Sequence, residues 1–146
     1  MTTNLYSEIH RVLRTDKPFL DLMGLADAKP AVLGKRIQKR AQPTGLALEG
    51  MPLVSFYAIP RGGADLNNYL VYNAIFMFDV YTNDDVSLAL DISDRIVELF
   101  HGEINRFIGV ENFETRLMAQ HESTTDLQDS YCFTTTLHFA ITLDDE

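Results

Sequence analysis

Cysteine and tryptophan are scarce in this sequence of 146 residues, which has one cysteine, Cys132, and no tryptophan. A single thiol excludes a disulfide within the chain, and scarce cysteine is typical of proteins that fold in a reducing compartment. Asp, Asn or Arg interrupts each apolar run within about a dozen residues, whereas a membrane-spanning helix needs about 20. The N-terminus, MTTNLYSEIH, lacks the basic and apolar regions of a secretion signal. We therefore expect a soluble protein with no membrane partner.

Sequence motifs of catalysis, metal binding and phosphate binding are also missing. The four histidines have no ligand spacing among themselves, and no Cys pair or HExxH motif accompanies them. Glu98 and His101 are three residues apart on a predicted helix and supply half of a metal site at most. Nothing near Cys132 marks it as a nucleophile. The sequence thus predicts that the protein is not an enzyme, and it predicts no catalytic residue, metal site or cofactor.

The composition favours one folded domain, and the charges are distributed unevenly along the chain. Hydrophobic residues make up 46% and charged residues 23%, near the globular average, so we expect a single domain over residues 1–146. The net charge is −9, but residues 1–61 hold nine Lys and Arg against five Asp and Glu, and residues 62–146 hold three against sixteen. Such an asymmetry either mixes on the folded surface or gives opposite patches that suit contact between copies.

The spacing of apolar residues predicts two main helices. The run TNLYSEIHRVLRTD has Thr3 or Asn4 available as its N-cap, and NDDVSLALDISDRIVELFHGEINRFIG has Asn83. Either Gly102 or Gly109 ends the second, longer helix. The apolar stripe of the first helix consists of Leu5, Ile9, Val12 and Leu13.

Alternating apolar residues predict four strands in two hairpins. PLVSFYAIP and NYLVYNAIFMFDVYTN flank the turn RGGADLNN, and ENFETRLMAQHES and SYCFTTTLHFAITL, which ends at Leu143, flank the polar loop STTDLQD. The second strand is apolar on one face, and its other face carries more apolar residues than solvent contact requires. We expect an α+β fold, a two-layer sandwich in which one long and one N-terminal helix cover an antiparallel sheet of about four strands.

The segment GKRIQKRAQPTG, residues 34–45, places four cations within six consecutive residues. Glycine and proline punctuate residues 26–50 and no helix with an apolar face fits there, so we predict a long connection carrying one exposed strand, KRIQKRA. Its charges are either solvated and protect a sheet edge, or pair with an acidic neighbour, or bind a phosphate backbone. The acidic chain, with a pI near 4.8, argues against a dedicated nucleic-acid-binding protein.

The order of these elements resembles that of the tail terminator, or tail completion, proteins of long-tailed (siphovirus-type) bacteriophages. The resemblance rests on the N-terminal helix, the basic segment KRIQKRAQP, the strand MPLVSFYAIP, the strand and helix of YNAIFMFDVYTNDDVSLALDISDRIVELFHG, and the hairpin ending TTTLHFAITL. The junction from Asp79 to Val86 resembles the family most. The similarity covers most of the chain and includes no catalytic or ligand-binding motif.

The resemblance implies a structural virion protein at the head-proximal end of the tail, assembled in the host cytoplasm. Members form a ring, usually of six subunits, that caps the tail tube, ends its polymerisation and joins the tail to the head–tail connector. The implied partners are further copies of the chain, the tail tube protein and the connector or stopper protein, with DNA only as cargo passing the channel. Another neck or head–tail connector component is the nearest alternative, followed by a nucleic-acid-binding module and an α+β enzyme or ligand-binding protein.

Two groups of residues are the predicted contacts. The subunit-interface group combines the basic segment with the second face of the long strand: Lys35, Arg36, Lys39, Arg40, Tyr69, Val71, Ile75 and Met77. The hairpin-tip group, expected to meet another partner, consists of Arg61, Asp65 and Asn67.

Overall fold

A computed structural model describes residues 2–142, with side chains from Asn4 onward. Leu143 and the acidic end of the chain lie outside the described residues. The elements follow in the order α1 (Thr2–Thr15), α2 (Lys17–Met23), α3 (Pro30–Arg36), β1 (Ile37–Gln38), β2 (Leu53–Ala58), β3 (Gly63–Ala64), β4 (Val71–Thr82), α4 (Val86–Phe100), β5 (Asn112–Ser123) and β6 (Tyr131–Thr142). A single 3-10 turn, Leu48–Gly50, precedes β2 within these residues.

One sheet contains all six strands of residues 2–142. Its order is β1-β2-β4-β6-β5, and β3 pairs with β4 beyond the end of β2. The β2–β4 and β5–β6 pairs are the two predicted antiparallel hairpins, and β1 adds in parallel to β2. The α+β class is confirmed, but the sheet has six strands instead of about four. The two extra strands have two residues each: β1 lies within the predicted exposed strand KRIQKRA, and β3 is too short to produce an alternating pattern.

The helices cover one face of the sheet and form the main core with it. Rings from β2, β4, β6 and α4 meet there, and the ring centroid of Phe100 lies 6.0 Å from that of Phe78 and 5.7 Å from that of Phe139. The predicted apolar stripe of α1 is buried in the same core: Leu5, Ile9, Val12 and Leu13. Burial of several aromatic side chains provides most of the driving force for this layer arrangement.

The helix ends differ from the sequence prediction in two places. Helix α1 already includes Thr3 and Asn4, so neither residue is its N-cap. Asp85, rather than Asn83, caps α4, because its Oδ1 accepts the Leu88 N–H at 3.0 Å. The helix ends at Phe100, the earlier of the two predicted positions.

The chain itself covers part of the second face of the sheet. Met51, Leu53, Tyr81 and Cys132 are buried there, and Leu46, Leu48 and Leu127 pack against them. The sequence alone predicts that a neighbouring subunit covers the second face of the long strand. At the end of the sheet that holds Tyr81, the connection before β2 and the β5–β6 loop supply the cover instead.

Candidate assembly surfaces

The basic segment consists of the end of helix α3, the short buried strand β1 and a loop, whereas the sequence predicts one exposed strand over KRIQKRA. Lys35 and Arg36 occupy the last turn of α3, where cations complement the helix dipole. Lys35 is exposed, whereas Arg36 is half-buried and donates from Nε to the Pro52 carbonyl (2.6 Å) and from Nη2 to the Met23 carbonyl (3.2 Å). Arg36 therefore connects parts of its own chain.

Lys39 and Arg40 lie on an ordered, exposed loop, residues 39–43, which we call the basic loop. The buried side chain of Gln38 closes it: Nε2 donates to the carbonyls of Lys35 (2.8 Å) and Thr44 (2.9 Å), and Oε1 accepts the Thr44 N–H (2.9 Å). The hydroxyl of Ser55 donates to the Arg40 carbonyl. The two cationic side chains thus project from a backbone that is already fixed.

A row of polar residues crosses the second face of the sheet from β1 to β5, and we call it the polar row. The strand register pairs its members one after another: Gln38, Ser55, Asp79, Thr134 and His121. The first four are buried and His121 is exposed. With about 4.8 Å between neighbouring strands, the row spans about 19 Å.

Asp79 is the centre of the polar row. Its Oδ1 accepts a hydrogen bond from the Thr134 hydroxyl at 2.6 Å, and its Oδ2 accepts one from the Tyr57 hydroxyl at 3.1 Å. Burial raises the pKa of Asp79, although both hydrogen bonds act in the opposite direction. Burial, with the nearby Asp79 carboxylate, also raises the pKa of the Cys132 thiol to about 12. Cys132 is therefore a thiol at neutral pH, which disfavours a nucleophilic role.

The far end of the polar row carries acidic residues. We call Glu122, which follows His121 on β5, and Asp126 and Asp129 in the β5–β6 loop the acidic edge; all three are exposed. The Ser130 hydroxyl donates to the Leu127 carbonyl at 2.6 Å and lies 3.1 Å from the Thr125 hydroxyl, so the loop is ordered. The sequence alone does not single out these carboxylates, because their position opposite the basic loop depends on strand order.

The β2–β4 hairpin ends in an ordered tip that presents apolar side chains. Asp65 Oδ2 accepts the N–H groups of Asn67 (3.0 Å) and Asn68 (2.9 Å), and its Oδ1 accepts the Asn73 amide (3.2 Å). A Cβ on Gly62 would lie 2.6 Å from the Asn73 carbonyl oxygen, so this close approach requires glycine. The most exposed large side chains of the tip, which we call the apolar tip, are Leu66 at 102%, Tyr69 at 79% and Leu70 at 57%.

The other predicted contact residues are spread along the structure. Tyr69 belongs to the apolar tip, Val71 and Met77 are half-buried on the second face of β4, and Ile75 is buried there. Arg61 is exposed near the tip. Asp65 and Asn67 are also at the tip, where Asp65 holds the backbone. Tyr69, Asp65 and Asn67 thus share the hairpin tip, whereas Lys39 and Arg40 lie on the loop after β1.

A groove of about 500 Å³ lies on the second face between the hairpin tip and β5. The Nε2 atom of His138 lies 2.9 Å from Asn73 Oδ1. Arg116 forms an ion pair with Glu114, with 3.0 Å between Nη2 and Oε1. Burial lowers the pKa of His138, which favours the neutral imidazole. These polar side chains have partners within the chain.

The residues considered for metal chemistry also have structural contacts. The Oε1 atom of Glu98 lies 3.7 Å from Nη1 of Arg95. The Nδ1 atom of His101 accepts a hydrogen bond from the Leu117 N–H at 3.0 Å. Across residues 2–142, no group of three or more His, Cys, Asp or Glu side chains is arranged to hold a metal ion. No helix of this part of the chain is long and apolar enough to cross a membrane.

These elements define a two-layer α+β fold with helices on one face of a mostly antiparallel sheet. No protein-family model matches the sequence, and no curated protein matches it. Among solved structures, the fold is similar to a chain of the virion of a native gene transfer agent (GTA) particle, with a TM-score of 0.66 and 13% identity. The similarity covers 97% of this chain and 96% of that chain, so the two folds correspond over nearly their full lengths.

Proposed function

We propose that this chain is a structural protein of a phage-like virion, located at the head-proximal end of the tail. In this proposal a ring of copies caps the tail tube, ends its polymerisation and joins the tail to the head–tail connector. The observation that carries the proposal is the fold shared over 97% of this chain with a chain of the GTA virion. At 13% identity, the support comes from the fold and not from shared residues.

Two surfaces of the structure support an assembly role. The basic loop and the acidic edge lie at opposite ends of the polar row, which suits contact between copies. The apolar tip exposes Leu66, Tyr69 and Leu70 on a backbone that Asp65 holds, and exposed apolar groups on an ordered surface are typical of protein contact sites. We assign the tip to the tail tube or connector protein, and we treat residues 1–146 as one domain.

The experiment combines the purified chain with the tail tube protein from the same genome. Light scattering on a sizing column is expected to show one closed oligomer, and electron micrographs are expected to show a ring on one end of each tube. Tubes capped by the ring should stop growing. Binding to connector particles but not to tubes would assign the chain to another neck position, and absence from purified particles would contradict a virion role.

A further inference from the structure

We propose that the basic loop of one copy binds the acidic edge of the next copy, so that copies associate head to tail through opposite ends of the polar row. This inference rests on the ring of the proposed function and names the two surfaces that close it. The partner of each surface is a second copy of this chain.

Charges of opposite sign are segregated at the two edges of the sheet. Residues 28–48, next to β1, hold five Lys and Arg and no Asp or Glu. Residues 111–130, which include β5, hold five Asp and Glu and one Arg, Arg116, which pairs with Glu114. The strand order places these two segments at opposite edges of one sheet. The uneven charge of the sequence thus becomes a difference in charge between the two edges of the sheet.

Strand direction determines how the two copies meet. Lys39 follows Gln38 and Glu122 follows His121, and Gln38 and His121 are the two end members of the polar row. Strands β1 and β5 run in opposite directions, so the basic loop and the β5–β6 loop leave the row toward opposite ends of the sheet. A neighbour placed beside the sheet and displaced along the strand direction brings Lys39 and Arg40 to the acidic edge.

Both surfaces are ordered before the two copies meet. Gln38 fixes the basic loop with three hydrogen bonds, and side-chain hydroxyls fix the loop that carries Asp126 and Asp129. Association therefore costs little backbone entropy at either surface. Between these loops, the buried hydrogen bonds of Asp79 to Thr134 and Tyr57 hold the middle strands of the sheet.

The sign of the charges selects head-to-tail contact. Two basic loops repel each other, as do two acidic edges, so a symmetric contact of either surface with itself is unfavourable. Only the contact of unlike surfaces is attractive, and repetition of such a contact gives a ring when the rotation closes. Two register shifts in β5, at Asn112/Glu114 and Leu117/Ala119, disrupt its free edge, so side chains rather than an added strand make the contact.

The test uses two charge-reversed variants, Lys39→Glu with Arg40→Glu, and Glu122→Lys with Asp126→Lys. We expect each variant alone to lose about tenfold or more in its association constant, measured by sedimentation velocity at low and high salt. A mixture of the two in equal amounts should recover assembly, because each reversed surface then meets a complementary one. The matched controls, Arg14→Glu with Lys17→Glu and Asp91→Lys with Asp94→Lys, change the charge equally at other exposed positions and should assemble like the wild type.

Each outcome decides the inference independently of the virion role. A wild-type chain that stays monomeric at about 1 mM, or reversed variants that assemble normally, would overturn it. Normal assembly of the Lys39 and Arg40 variant with loss of DNA binding at low salt would reassign the loop to a phosphate backbone. Variants that enter purified particles as the wild type does would overturn the contact but leave the virion role intact. Charge-dependent assembly of a chain that is absent from purified particles would support the contact and contradict the virion role.

Discussion

Cations that are alike in the sequence have different environments in the folded chain. Arg36 donates to two backbone carbonyls of its own chain, whereas Lys39 and Arg40 are exposed four residues or fewer away. The sequence predicted the cluster but not this difference, because the acceptors of Arg36, at Met23 and Pro52, are fixed only by the tertiary fold.

Replacement of Arg36 should reduce stability rather than assembly. Arg36→Met leaves the Pro52 and Met23 carbonyls without their donor, so we expect a loss of about 1–3 kcal/mol in the free energy of unfolding. Urea unfolding measures this loss. Arg40→Met, at an exposed position of the same segment, should stay within about 0.5 kcal/mol of the wild type. Equal losses in both variants would contradict the assignment.

Asp79 and Asp16 should affect the pH dependence of stability in opposite directions. Burial raises the pKa of Asp79, so the folded state holds its proton more strongly and loses stability as pH rises through the raised pKa. Burial alone would also raise the pKa of Asp16, but hydrogen bonds from Arg95 and the Phe19 N–H outweigh it and lower that pKa. The stability that Asp16 contributes is therefore present above its ordinary pKa and is lost as pH falls through the lowered one.

Urea unfolding of Asp79→Asn and Asp16→Asn from about pH 3 to about pH 8 measures the two effects. The stability of the wild type relative to Asp79→Asn should fall as pH rises, and its stability relative to Asp16→Asn should fall in the acid range as pH drops. The same sign of slope for both variants would be inconsistent with these two environments.

At the scale of elements, length decided what the sequence could predict. The strands β4, β5 and β6 have twelve residues each, so their alternation is long enough to identify. Helix α3 has seven residues and no buried one, so it carries no apolar stripe, and the sequence predicts an irregular connection over most of it and an exposed strand from Lys35 onward. The sequence predicts Asn83 as the cap of α4, and the choice of Asp85 over Asn83 depends on a backbone geometry that composition does not determine.

The hairpin tip offers a test at the same scale. Leu66→Ser with Tyr69→Ser removes apolar surface from the tip without disturbing the hydrogen bonds of Asp65, so unfolding and self-association should not change. Binding to the tail tube or connector protein should weaken about tenfold or more, as measured by co-sedimentation. The matched control, Ile104→Ser with Ile108→Ser, removes exposed apolar surface elsewhere, at 51% and 72% exposure. Equal weakening by both pairs would count against a specific tip contact.

At the scale of the whole molecule, local sequence patterns predict the two layers of the fold but not its contact surfaces. The apolar second face of β4 was visible in the sequence, but its cover comes in part from Leu46, Leu48 and Leu127, which are distant in the chain. The charge asymmetry was visible too, and its meaning came from the strand order, which places residues 28–48 and 111–130 at opposite edges. Such placements depend on long-range pairing that a short sequence window does not contain.

The β4–β6 ladder at the centre of the sheet also sets how the chain folds. Thr82 pairs with Tyr131 and Val71 with Thr142, so every pair of this ladder encloses α4 and β5. The β5–β6 hairpin, by contrast, closes across a short loop. Closing the large loops between β4 and β6 costs chain entropy before burial of the core compensates for it. Folding should therefore be slow for a chain of this size. The β5–β6 hairpin can form before β6 pairs with β4. The newly made chain therefore exposes its phenylalanine-rich strands until β6 is complete, and aggregation competes with assembly during that interval.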